Sequence, residues 1–61
     1  MQEKPRLITI GQKFRHKREG TVYVVRDICD GNVVLVSENG ETLMRIQLDS
    51  LTSGSFEFIY D

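Results

Sequence analysis

The sequence has one cysteine, one histidine, one proline and no tryptophan. A lone cysteine cannot form a disulfide within the chain, and with a lone histidine it cannot complete a zinc site of the usual kind. No apolar run approaches the roughly 20 residues of a membrane-spanning helix. The start of the chain, "MQEKPRLITI", lacks the apolar segment and cleavage site of a signal peptide. We therefore expect no metal, no cofactor, no membrane partner and a cytoplasmic location.

Length and charge indicate one small domain with a polarised surface. The 61 residues are 39% hydrophobic and 28% charged, the balance of an ordinary folded domain. We expect a single β-barrel domain over 1–61, with residues 1–6 as a loose N-terminal arm. Positions 1–26 carry seven basic and two acidic side chains, and positions 27–61 carry one basic and seven acidic ones. The resulting net charges, +5 and −6, indicate that the two halves present opposite charge.

The middle of the chain reads as three antiparallel strands. The segments "TVYVVRDI" (21–28), "VVLVS" (33–37) and "TLMRIQL" (42–48) are rich in β-branched and apolar residues. They are separated by Asp30-Gly31 and Asn39-Gly40, the dipeptides that favour two-residue hairpin turns. The pattern predicts a three-strand meander.

These turns also predict which side chains share a face. Counting from them, Ile28 pairs with Val33 and Leu35 pairs with Met44. The predicted core face consists of Val22, Val24, Ile28, Val33, Leu35, Met44 and Ile46. The predicted opposite face carries Tyr23, Val25, Val34, Val36 and Leu43 among charged residues. A single β-bulge would exchange the two faces locally, because side chains alternate with a period of two.

Two further segments complete the predicted fold. "LITIGQKF" (7–14) alternates weakly between apolar and polar residues and is interrupted by Gly11, whereas "SFEFIY" (55–60) alternates well, as a half-buried strand does. Between them, "LDSLTSG" (48–54) predicts a 3₁₀ turn capped by Asp49 and Ser50, with Leu48 and Leu51 closing one end of the barrel. We therefore predict an all-β protein, a small five-stranded antiparallel barrel. Phe56 and Phe58 are expected in its core; if exposed, they would offer a partner an apolar platform together with Tyr60.

This order of parts resembles the Src-homology-3-like small barrels, including KOW and Tudor-type domains. The resemblance covers roughly residues 7 to 60. It is carried by Gly11 and Phe14, which open a long first loop, by the two turn dipeptides, by "LDSL" and by "SFEFI". The chain also looks like short barrel proteins that phages and other mobile elements often encode. The resemblance implies a fold and leaves the activity open.

The long first loop, "GQKFRHKREG" (11–20), is the main candidate for a binding site. Its cations can neutralise backbone phosphates, and its aromatic residues can stack on bases. The predicted contact residues are Arg6, Lys13, Arg15, His16, Lys17 and Arg18, with aromatic contacts from Phe14, Tyr23 and Tyr60. The alternative is a solvated loop whose cations pair with the acidic half of the chain.

Catalysis has little support in the sequence. It contains no zinc-protease motif, no phosphate-cradling glycine loop and no interpretable Ser/His/Asp set. Acidic residues lie near the two turns, Glu38 and Glu41 among them, but we expect no calcium site there. Two main hypotheses follow: a non-catalytic module that binds nucleic acid or a nucleic-acid-handling complex, and a protein-interaction module such as a phage-type modulator of a host protein. Self-association through the charge polarity is a third hypothesis.

Overall fold

A computed structural model describes residues 8–59 of the chain. It contains five strands and one short helix, in the order β1 Lys13–His16, β2 Val22–Cys29, β3 Asn32–Ser37, β4 Leu43–Gln47, α1 Leu48–Leu51 and β5 Phe56–Ile59. The strands form one antiparallel sheet in the order β4-β3-β2-β1-β5. The sheet curls into a half-barrel, so the predicted all-β fold and its meander are confirmed. The predicted N-terminal arm, Arg6 and Tyr60 lie outside the described residues.

The two hairpin turns of the meander differ, although the sequence predicts the same turn for both. Asp30 and Gly31 both have positive φ, 51° and 79°, as a two-residue type I′ turn requires. In the second turn only Gly40 has positive φ. There the Asn39 side chain accepts hydrogen bonds from the Ser37 hydroxyl (2.7 Å) and the Glu41 N–H (2.9 Å). These side-chain bonds favour a four-residue loop over the predicted two-residue turn.

A β-bulge at Arg26 decides which residues of β2 enter the core. Ile28 pairs with Val33 as predicted, but the register shifts between Val25 and Asp27, and Val25 rather than Arg26 pairs with Leu35. Beyond the bulge the alternation is therefore reversed. The predicted core positions Val22 and Val24 are wrong: Tyr23 and Val25 are buried in their place.

The core lies inside the curl of the sheet. It consists of Phe14, Tyr23, Val25, Val33, Leu35 and Leu51, each at most 3% exposed. Phe56 and Phe58 pack against this cluster as expected, and the rings of Phe14 and Phe58 are 4.5 Å apart. Apolar burial of this kind is the main stabilising term for a small domain.

The segment after β4 forms a single turn of α-helix instead of the predicted 3₁₀ turn. Leu51 is buried and Leu48 packs against the core, so both leucines cover one end of the sheet as predicted. Gln47 occupies the N-cap and makes no side-chain cap hydrogen bond, so the predicted capping by Asp49 or Ser50 is wrong. Within 8–59, no helix has the length and apolar character needed to cross a membrane.

Candidate functional site

The basic segment contains a short strand followed by a tight turn, instead of the long loop that the sequence predicts. Residues 13–16 form β1, which pairs with β2 on one side and β5 on the other. Side chains alternate between the two faces of this strand: Phe14 points into the core, and Lys13 and Arg15 point outward. The chain then turns tightly, with the Gly20 N–H donating to the His16 carbonyl (2.7 Å) and the His16 N–H donating to the Thr21 carbonyl (2.9 Å).

Two of the predicted contact cations are paired within the protein. The Lys13 ammonium lies 3.1 Å from a carboxylate oxygen of Glu38, and Arg15 forms an ion pair with Glu57 across the β1–β5 pairing. All four side chains are more than a third exposed. The two cations are therefore paired with carboxylates from the acidic half of the chain, as the alternative interpretation predicted.

The turn after β1 forms one side of a shallow cleft. The cleft has a volume of about 290 Å³ and is lined by His16, Lys17, Arg18 and Ser55. The Lys17 N–H donates to the Ser55 carbonyl at 2.9 Å, which joins the turn to the start of β5. Lys17 and Arg18 are exposed, and neither forms an ion pair with any residue of 8–59. The positive charges of Lys17 and Arg18 at the cleft are therefore not offset by an ion pair within 8–59, unlike those of Lys13 and Arg15.

His16 is fixed in orientation at the inner wall of this cleft. Its ring is half-buried and meets Phe56 edge-on, with centroids 4.9 Å apart and planes at 88°. Its Nδ1 accepts a hydrogen bond from the Glu19 N–H at 3.2 Å. The neutral ring therefore carries its proton on Nε2, which is the nitrogen able to donate to a ligand.

Glu19, the acidic residue of the turn, is held by Tyr23. The Tyr23 hydroxyl donates to the Glu19 carboxylate at 3.3 Å. Burial raises the pKa of Tyr23 above its ordinary value of 10.0, and the charge of Glu19 and this hydrogen bond raise it further. This hydrogen bond therefore holds the Glu19 carboxylate beside the buried Tyr23 hydroxyl.

Burial limits the aromatic contacts that the sequence suggests. Phe14 is 0% and Tyr23 is 3% exposed, so neither ring face is open to a base. Both residues belong to the core and lie outside the candidate site. Ser55 joins it instead, and no sequence signal marks this residue. Its place depends on the pairing of β5 with β1, two strands that are far apart along the chain.

The described residues show little that suits a metal or a reactive thiol. Within 8–59, no three His, Cys, Asp or Glu side chains are arranged to hold a metal ion. Cys29 is exposed at the end of β2, and its sulfur lies 3.8 Å from a carboxylate oxygen of Asp30.

The protein is thus a small all-β domain whose cleft is bordered by a cationic turn, residues 17–20, which carries Lys17 and Arg18. Neither a protein-family model, nor a curated protein, nor a solved structure matches the chain. Small barrel-like folds host many unrelated functions, so the function depends on the side chains at the surface.

Proposed function

We propose that the protein is a non-catalytic binding module that contacts nucleic-acid phosphates at the cleft beside the β1–β2 turn. One observation carries the proposal: every side chain lining this cleft can donate a hydrogen bond. Lys17 and Arg18 contribute cationic donors, His16 an imidazole N–H and Ser55 a hydroxyl. Phosphate oxygens accept such bonds, and those from cations are the strongest.

The remaining predicted cations have a smaller role in this proposal. Lys13 and Arg15 lie near the turn on β1, but a phosphate would have to displace Glu38 and Glu57 from them. Such an exchange gains little, because one exposed ion pair replaces another. The contact therefore involves few phosphates, and we expect weak binding with a shallow salt dependence.

A second candidate function is supported by the outer face of the sheet. Val24, Val36 and Leu43 lie side by side across strands β2, β3 and β4, facing away from the core. Leu43 is 60% exposed. An apolar row of this kind suits a protein partner. The resemblance to Src-homology-3-like barrels, KOW and Tudor-type domains among them, fits either candidate, and the resemblance to phage-encoded barrels fits a modulator of a host protein.

The test is an NMR titration with short single- and double-stranded DNA and RNA at two salt concentrations. We expect shifts at residues 16–19 and at Ser55, with a log–log salt slope of roughly −2 if the two cations each contact one duplex phosphate. The double variant Lys17→Glu, Arg18→Glu should abolish these shifts. The control Arg26→Glu reverses one charge at an exposed position of β2 that does not line the cleft. It should leave the chemical shift changes in place.

Two outcomes would overturn the proposal. One is the absence of shifts with every nucleic acid at low salt. The other is shifts that persist in the double variant. Shifts confined to Val24, Val36 and Leu43 upon addition of a protein would instead favour the second candidate.

A further inference from the structure

The free side of β4 carries a regular set of backbone hydrogen-bonding groups. The β3–β4 ladder is bracketed by two bonds, from the Ser37 N–H to the Thr42 carbonyl and from the Leu48 N–H to the Gly31 carbonyl, each 2.8 Å long. In an antiparallel pair, hydrogen bonding alternates residue by residue. Every second residue from Thr42 to Leu48 therefore turns its backbone toward β3.

The intervening residues turn their backbone outward. These are Leu43, Arg45 and Gln47, and no strand within 8–59 pairs with this side of β4. An unpaired strand edge is a template for another strand. Natural edges are often protected by proline or a bulge, and β4 has neither.

The side chains along this edge form an ordered charge pattern. Leu43 and Arg45 lie on the outer face of β4, and Glu41 lies in the turn two residues before Leu43, so the edge reads as acidic, apolar and basic in chain order. Leu43 is 60% exposed. Glu41 and Arg45 are both exposed, and neither forms an ion pair with a residue of the described chain.

An acidic–apolar–basic order is complementary to itself when two copies run antiparallel. Pairing centred on Leu43 places Leu43 against Leu43 of the second copy and Arg45 against its Glu41, twice by symmetry. Pairing centred on Arg45 would oppose two arginines, and pairing centred on Met44 would place Arg45 opposite Leu43. Only the first of these three registers pairs every charge with its opposite.

We propose that the β4 edge is a symmetric interface between two copies of this chain, centred on Leu43. The two half-barrels then share one continuous sheet, and the outer apolar rows meet across the two-fold axis. The Glu41 N–H donates to Asn39 at 2.9 Å, so the backbone bonds between the two copies come from β4 itself and Glu41 contributes its side-chain charge. The interface is small, and we expect a weak, concentration-dependent and salt-sensitive dimer. The proposal uses none of the cleft residues and is independent of nucleic-acid binding.

The test is sedimentation velocity of the full chain over a concentration series, with a reductant present because Cys29 is exposed. We expect a monomer–dimer equilibrium that Arg45→Glu and Glu41→Arg each abolish, since each opposes like charges twice. The two variants mixed in equal amounts should associate again, because their edges are then complementary. The double variant Glu41→Arg, Arg45→Glu should dimerise alone, and the control Arg26→Glu should behave as the parent.

The mixing step separates a specific interface from general loss of folding or of net charge. A chain that stays monomeric throughout the series would overturn the proposal. So would a dimer that persists in both single variants, or single variants that fail to associate when mixed although circular dichroism shows them folded. Loss of nucleic-acid binding by the cleft variant would leave these outcomes unchanged.

Discussion

The inner and outer faces of the sheet belong to the same strands but are stabilised differently. The inner face carries Phe14, Val25 and Leu35, each at most 1% exposed. The outer face carries half-buried valines and two exposed ion pairs. Burial of apolar surface stabilises a fold far more than an exposed ion pair does. The inner face therefore sets the stability of this domain.

Neighbouring residues on β3 test the difference between the two faces most directly. Leu35→Ala should lower the free energy of unfolding by about 2–5 kcal/mol, because it leaves a cavity in the core. Val36→Ala, one position along and on the outer face, should cost about 1 kcal/mol or less. Urea unfolding of dilute protein measures both. If Leu35→Ala is too unstable to measure, Val33→Ala against Val34→Ala repeats the comparison; equal costs for the two faces would contradict it.

Tyr23 connects the inner face to the cationic turn, and its effect should appear at high pH. The folded state raises the pKa of Tyr23 above 10.0, whereas in the unfolded chain it titrates near that value. The stabilisation is therefore complete below about pH 10 and is lost as the pH rises through the folded-state pKa. Tyr23→Phe should flatten this loss, at a cost of about 1 kcal/mol at neutral pH for the lost hydrogen bond.

Urea midpoints at about pH 9 and about pH 11 measure this dependence. Tyr60→Phe removes the other tyrosine and serves as the control. An identical pH dependence in the parent and in Tyr23→Phe would show that Tyr23 does not carry the effect.

The smallest expected effect concerns the outer face alone. A double-mutant cycle with Lys13→Met and Glu38→Gln should give a coupling of about 0.2–1 kcal/mol, since both groups are exposed. The coupling should decrease at about 1 M salt, where exposed charges are screened within about 3 Å. Lys17→Met replaces Lys13→Met in the control cycle, where no coupling to Glu38 is expected. A coupling that survives high salt would mean that this pair contributes more than a surface contact does.

The sequence predicts the meander well because its signals are local. The Asp30-Gly31 turn fixes the pairing of Ile28 with Val33, and the pairing of Leu35 with Met44 follows from the next hairpin. These pairs lie close to a turn, and backbone conformation at a turn depends on few residues. The number of strands and the burial of Phe56 and Phe58 against the core were also predicted correctly.

The incorrect predictions concern features that depend on distant contacts. Nothing in "VVRDI" marks Arg26 as an extra residue, because a bulge is selected by the curvature of the whole sheet. Residues 13–16 look like a polar loop until β5 is known to pair with them. The same pairing brings Ser55 to the cleft, so the candidate site could be predicted only in part.

The position of Cys29 makes the protein convenient for spectroscopy. It is the sole thiol of the sequence and is exposed. It ends β2, whereas the cationic turn precedes the start of that strand, eight residues away in extended structure. At about 3.3 Å per residue, a straight strand of that length spans roughly 25 Å, and the bulge at Arg26 and the curl of the sheet shorten the direct distance. A fluorophore or spin label can therefore be attached to the unmutated chain at a site remote from the cleft.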